Sequence, residues 1–420
     1  MEQGYHFVTS PTPKSTVMLR RALEALRNGV PNQDAVRGLD PGQLPAIKRF
    51  TKQLDQVTEL FSAGSQSKGL LLSGGFGSGK SHLLQHFEHL ALKQNFVCSR
   101  IVIGKETPLY DPAKVYRAAV EAAVLPDGTS GQAIQEIAQR LDTKGPAYAD
   151  FYHWVGLPNS GLAQLFAASL KVHERAAPDP DITGAITDFW SGDALKLTDL
   201  KKWLRELGLP AAFVVTSVAA KELALQRFHF ATHLFKAAGY RGWVLLIDEV
   251  EMIGKYGVVS RGKSYGELAR WLGEVSSEQY PGITAVASLT DTYASQLLTE
   301  RQDKDLVPQK LEGKGTDEAR SQARRAETGM RIIEHDFLSL EKPDEARLLE
   351  TYQQLRKFHA DAYGWNPPEL DFGTSQESLR LHVRKWIHEW DLRRLFPGIT
   401  VDTQVTKVII NMSQDRDLGV

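Results

Sequence analysis

The densest chemistry in the chain lies in Gly74-Gly75-Phe76-Gly77-Ser78-Gly79-Lys80-Ser81, followed by His82. Glycines at this spacing let successive backbone N–H groups turn inward around an anion, and a helix starting near Lys80 would add its N-terminal dipole. The complete G-x-x-x-x-G-K-S pattern points to a polyphosphate. Lys80 would reach the β- and γ-phosphates, and the Ser81 hydroxyl would ligate Mg²⁺. A metal held this way also needs an acid from a neighbouring strand. Trp243-Val-Leu-Leu-Ile247-Asp248-Glu249 supplies an apolar run ending in two carboxylates. Asp248 would orient the metal, and Glu249 would polarise a water aimed at the γ-phosphorus. The expected ligands are therefore ATP and Mg²⁺.

Other residues are weaker candidates. The apolar stretch Ile283 to Leu289 ends in Thr290-Asp291, and Thr290 could hydrogen-bond the attacking water or the γ-phosphate; a turn capped by the two residues reads equally well. Glu251 reads as a surface carboxylate. Hydrolysis also calls for positive charge on the γ-phosphate. The late helix carries Arg380, Arg384, Lys385, Arg393 and Arg394, and Arg384, beside Val383 and Ile387, is the residue expected to project from a helical lid. Arg261, Arg301, Arg324 and Arg325 are candidate fingers for a neighbouring subunit; for any one of these arginines, those of the late helix included, an exposed surface arginine is the favoured reading. His82, His86 and His89 read as a polar helix face and not as metal ligands. Trp386 and Trp390, four apart, read as packing residues of the lid, with base stacking as the alternative.

Positioning these groups requires strands that alternate with helices. Helical spacing predicts helices over 16–27, 45–61, 80–94, 111–124, 263–279, 344–363 and 376–395, and a mostly helical stretch over 125–227. Strands are predicted at 69–73, 96–103, 243–247, 282–289, 331–340 and 399–410. The charged, glycine-containing stretch 304–327 reads as a solvated mobile loop. This alternation predicts an α/β fold, a parallel-sheet core covered on both faces. It divides into an N-terminal helical segment (1–66), a core (67–340) with a helical insertion at about 125–227, and a C-terminal helical lid with a terminal strand (341–420).

Composition narrows the classes. Hydrophobic residues make up 42% and charged residues 24%, a globular balance over 420 residues. With 50 Lys+Arg against 51 Asp+Glu, there is no global attraction to nucleic acid or membrane, so any such contact needs a local patch. The single cysteine, Cys98, excludes an internal disulfide and reads as a core residue. The first residues lack a basic and apolar leader, and the apolar runs fall short of the roughly 20 residues of a membrane span. A soluble, cytoplasmic protein without membrane contact is expected.

The chain resembles the ATP-binding proteins of BREX bacteriophage-defence systems, within the additional-strand P-loop NTPases that include the AAA+ ATPases. The resemblance is carried by Ala25 to Asp34, Gly74 to Ser81, Lys105 to Leu109 with Lys114 to Arg117, Gly239 to Glu249, and Trp390 to Pro397. It implies an AAA+-like fold and an antiviral ATPase acting beside other components of its system, a helicase among the candidates. It also implies Asp248-Glu249 as the acidic pair and Thr290 as a strand-end sensor, although related proteins carry Gly-Thr-Pro where this chain has Leu289-Thr290-Asp291.

Three functions remain open: an ATPase that remodels nucleic-acid or protein partners, a slow nucleotide-dependent assembly switch, and a small-molecule kinase. Two acids at one strand end suit water activation, and no acceptor-pocket signature is visible, which disfavours the kinase. DNA contact would fall to the basic residues within 304–325 and 384–394. A homo-oligomer is a further candidate partner.

Overall fold

The computed structural model describes residues 13–28, 39, 41–177, 179–209, 213–313, 315–370 and 378–399. Among these, β1 (Leu70–Ser73), β2 (Val97–Val102), β3 (Ala123–Val124), β4 (Trp243–Asp248), β5 (Ile283–Leu289) and β6 (Phe337–Ser339) form one sheet in the order β3-β2-β4-β5-β1-β6. Every residue of β1, β4 and β5 is buried, as continuous apolar runs in a parallel sheet covered on both faces should be. β1 pairs with β5, β5 with β4 and β4 with β2, all in parallel; only the short β3 is shown antiparallel to its neighbour β2. Ser73 lies opposite Leu289, Ala287 opposite Ile247 and Asp248 opposite Val102. The C-terminal ends of four strands therefore meet one edge of the sheet.

The helices are α1 (Pro13–Arg27), α2 (Leu44–Phe61), α3 (Lys80–Lys93), α4 (Pro112–Glu121), α5 (Ala133–Arg140), α6 (Pro146–Gly156), α7 (Gln164–Arg175) and α8 (Pro180–Ser191). They continue with α9 (Leu197–Glu206), α10 (Ala220–Ala237), α11 (Val258–Trp271), α12 (Asp303–Glu312), α13 (Asp317–His335), α14 (Glu345–Tyr363) and α15 (Leu379–Leu395). None is long and apolar enough to cross a membrane. The chain is a mixed α/β protein.

It forms two compact units. One comprises the described residues up to Pro45, Gly74–His86 and those from Ser339 onward; the other comprises Ala46–Ser73 and Phe87–Leu338.

In the larger unit an extensive apolar core runs from the sheet, with Leu245 and Ile283, into the helices between β3 and β4, with Ile134, Phe166 and Trp190. Some buried polar groups there are paired across elements. Trp243 Nε1 donates to Ser99 Oγ at 2.8 Å, and that hydroxyl donates to the Ala119 carbonyl at 2.6 Å. Helix starts follow local chemistry: Asp111 caps α4 by accepting from the Ala113 and Lys114 amides, with Pro112 in the first turn. Cys98 is buried in β2, in keeping with a core residue.

Several sequence expectations need correction. The stretch 304–327 is no solvated loop but most of α12 and α13. Ala319, Ala323, Ala326 and Met330 bury one face of α13, while its charges pair locally, as Arg320 does with Asp317 at 2.6 Å. A Cβ at Gly329 would collide with the Tyr265 carbonyl, so that glycine allows α13 to cross α11 closely. The strand expected over 331–340 shrinks to Phe337–Ser339, because α13 continues to His335. The helix expected at 111–124 ends at Glu121 and gives way to β3. The helix expected at 263–279 is α11, starting earlier and stopping at Trp271 ahead of Gly273, whose φ of 70° is a left-handed stop. The predicted strand 399–410 lies outside the described residues beyond Ile399.

In the smaller unit α1, α14 and α15 pack on one another around Leu23, Leu348, Leu355, Trp386 and Trp390. Both tryptophans are fully buried, which assigns them to packing and removes them as base-stacking platforms. His359 accepts from Trp365 Nε1 at Nδ1 (2.8 Å), so its Nε2 carries the proton facing Asp391 Oδ1 at 3.2 Å. Asp391 also meets Arg27 at 2.5 Å.

On α10, His233 stacks on Trp154 with ring centroids 3.4 Å apart, and His229 stacks on Tyr280 at 4.2 Å. Burial pushes both imidazoles down to about 4. The unfolded chain, with ordinary histidine values, takes up protons that the folded chain refuses, so stability falls as pH drops from about 6.5 toward 4. Thermal unfolding at pH 7 and pH 5 is expected to show a loss of about 2 kcal/mol per histidine, and His229→Phe should remove its share of the difference.

Candidate functional site

Within the smaller unit the glycine loop leads directly into α3. Gly77 and Gly79 have φ of 76° and 96°, values that side-chain-bearing residues rarely adopt, and this is why the spacing demands glycine there. Lys80 opens α3 and is buried, and its ammonium donates to the carbonyls of Gly74 at 2.8 Å and Gly75 at 3.1 Å. A Cβ at Gly74 would crowd Ser78 Oγ at 2.6 Å. That Ser78 oxygen is buried and has no hydrogen-bond partner, which suits a loop built to receive further polar atoms. Ser81 is half-buried one residue into the helix. His82 reaches the Leu39 carbonyl at 3.2 Å.

The start of α15 lies against this loop. The Arg380 guanidinium sits 5.4 Å from the centre of the half-exposed Phe76 ring. A Cβ at Gly77 would meet Ser378 Oγ at 3.0 Å and Arg380 Cβ at 3.2 Å. Arg384, one turn further along, is exposed. Of the two, Arg380 is the arginine that touches the loop; helical periodicity could not decide between residues four apart on the same face.

Within the larger unit, Asp248 ends β4 with 3% exposure. Its Oδ1 accepts from Ser288 Oγ at 2.7 Å and from the Glu249 amide at 3.1 Å, and its Oδ2 faces Arg100 Nη2 at 2.9 Å. Glu249 is exposed and occupies a left-handed backbone conformation, φ 57° and ψ 38°. A non-glycine residue there is strained, a feature that clusters at functional positions. Thr290 follows β5 with 4% exposure, and its Oγ1 is buried without a hydrogen-bond partner, so this hydroxyl does not cap the turn. Asp291 beside it is exposed. Glu251, expected at the surface, is buried in the 3₁₀ turn Val250–Lys255.

Three of the four candidate fingers are engaged. Arg261 is buried against Asp303 at 2.5 Å, Arg301 donates to the Gly254 carbonyl at 2.9 Å, and Arg325 pairs with Glu278. Arg324 is exposed. Arg100 and Ser288 escaped sequence reasoning. Arg100 did leave a signal, as the one charge inside the otherwise uncharged β2 run Val97 to Val102.

The Ser81 hydroxyl in the smaller unit and the Asp248 carboxylate in the larger one are each oxygen donors, the type Mg²⁺ prefers. Among the described residues no cluster of three or more His, Cys, Asp or Glu could hold a metal unaided.

The family model described as BREX system ATP-binding protein BrxC/D matches residues 16–143 and 211–379. The matched segments include the glycine loop, Arg100, Asp248-Glu249 and Thr290; the unmatched 144–210 lies among the helices between β3 and β4. No curated protein matches the chain.

Gly77→Ala is expected to cost about 1–2 kcal/mol through its positive φ and to push the start of α15 off the loop. Thermal unfolding would read the first effect, and weakened ATP binding the second.

Proposed function

Given that the chain belongs to the BREX system ATP-binding protein family, we propose that it binds Mg-ATP and hydrolyses it to ADP and phosphate in the service of that defence system. The observation that carries this reading is strand order. β1 runs straight into the glycine loop, β4 ends in the two acids, and β5 lies between them in parallel, so Ser73, Leu289 and Asp248 finish at one sheet edge. An extra strand in this place supports the AAA+-like, additional-strand form of the P-loop fold.

In this mechanism the amides of Gly74 to Gly79 surround the phosphates at the N-terminus of α3. Lys80 would exchange its loop carbonyls for β- and γ-phosphate oxygens, and Ser81 and Asp248 are the residues that would hold Mg²⁺. Bound Mg²⁺ would neutralise charge on the transferring phosphoryl group. Glu249, exposed just past the end of β4, takes the proton of the attacking water. The unpartnered Thr290 hydroxyl orients that water or the γ-phosphate. Arg380, in place of Arg384, supplies the lid charge.

The organisation we infer keeps the sequence-derived segments: N-terminal helices over 1–66, an ATPase core over 67–340 with an insertion at about 125–227, and a lid over 341–420. Partners are the other components of the defence system, a helicase among them, and a second copy of the chain. Direct DNA contact gains little from the two basic stretches. Lys304 pairs with Glu334, Arg325 with Glu278 and Arg393 with Glu389, so much of their charge is locally neutralised. A slow assembly switch is the second reading, favoured by the Arg100–Asp248 pair that offsets the metal acid's charge.

Lys80→Ala is expected to weaken ATP binding about 100-fold, an affinity change of ~2.7 kcal/mol. Glu249→Gln should bind ATP almost as wild type and lose turnover by about 100-fold or more. Arg380→Ala should lower turnover more than Arg384→Ala. These are measured by equilibrium nucleotide binding and phosphate release, with and without single- and double-stranded DNA, across protein concentrations. A wild type that releases no phosphate under any of these conditions is a switch and not an ATPase.

A further inference from the structure

We propose that Arg100 is a built-in competitor for the metal at Asp248, making metal binding there conditional on a metal–triphosphate and closed to the free ion. The proposal rests on the assignment of Asp248 as the metal acid.

Both Asp248 oxygens already have protein donors: Ser288 Oγ and the Glu249 amide on Oδ1, and Arg100 Nη2 on Oδ2. The carboxylate side chain is 4% exposed and the arginine side chain 25%, so water screens this pair far less than a surface pair. Arg100 has no other ion pair among the described residues, and its Nε is buried without a partner. The guanidinium is thus held within the fold against Asp248 and is no freely solvated surface arginine. Asp248 is what offsets it, and β2 and β4 hold the two residues in adjacent parallel strands.

A divalent cation that approaches Asp248 alone meets a carboxylate whose charge is offset, and displacing Arg100 would leave a half-buried guanidinium uncompensated. A cation arriving on a triphosphate brings its own negative charge. The released guanidinium can then exchange the carboxylate for phosphate oxygens, a planar donor–anion contact that arginine makes well. Arg100 is therefore a positioning residue that keeps the acid's charge offset until metal and nucleotide arrive together.

The test uses the full chain without nucleotide and Mn²⁺ as the probe, with free Mn²⁺ followed by its electron paramagnetic resonance signal. Arg100→Gln keeps a hydrogen-bond donor but removes the charge; Arg100→Met, of similar length, serves if the glutamine variant folds poorly, and Arg100→Lys keeps the charge. Arg100→Gln or Arg100→Met should bind Mn²⁺ about tenfold more tightly than wild type, Arg100→Lys should stay close to wild type, and adding Asp248→Asn should erase the gain. Mn²⁺ affinity unchanged or weakened in the uncharged variants overturns the proposal. A companion measurement separates the two levels of failure. If Asp248→Asn alone leaves the Mg²⁺ dependence of ATP binding intact, the metal-acid assignment falls and the proposal with it. If it disturbs that dependence while the Arg100 variants gain no Mn²⁺ affinity, the proposal alone falls.

Discussion

A carboxylate cannot be buried at the end of an apolar strand without compensation, and the arrangement around Asp248 answers that requirement. An uncompensated charge in such a place would cost several kcal/mol or be lost by protonation. Three separate elements contribute to its compensation: Arg100 from β2, Ser288 from β5 and the Glu249 amide from the turn after β4. Each donor depends on the parallel register that places these strands side by side. The same turn that delivers the amide throws Glu249 into a left-handed conformation, exposed, while Asp248 stays buried. Two adjacent acids thereby acquire opposite environments, one fixed and one accessible, as a division between metal orientation and proton transfer would require.

The glycine loop solves a complementary problem. Its turn into α3 passes through positive φ at Gly77 and Gly79, which glycine adopts readily. The second role of Gly77 is steric, since Ser378 and Arg380 occupy the space a side chain would need. Backbone conformation and lid contact thus impose the same residue type at one position. Cation and ring meet beside it, where Arg380 lies on Phe76.

Charge density misled the reading of 304–327 for a definite reason. A stretch rich in Lys, Arg, Asp and Glu resembles a solvated loop when its charges are counted, but helices place residues three and four apart on one face. Alanines at 319, 323 and 326 form the buried stripe of α13, and small residues give a weak hydrophobic signal. The buried Arg261–Asp303 pair, to which Tyr265 donates at 2.6 Å, anchors the start of α12 from α11, a contact across 42 residues that no local pattern reveals.

Sequence alone determined what depends on local spacing: the glycine loop at 74–81 leading into a helix, the apolar strand ending in Asp248-Glu249, the alternation of strand and helix, and the family resemblance. These were legible because glycine conformation, helix starts and strand periodicity act within a few residues. Tertiary structure alone decided which distant groups became partners. It put Arg100 and Ser288 on Asp248, brought Arg380 and not Arg384 to the loop, left the Thr290 hydroxyl unpaired, and buried Glu251. The physical reason is that compensation of a buried charge or polar group is a property of the packed environment, set by strand order and helix placement, and no window of neighbouring residues contains it.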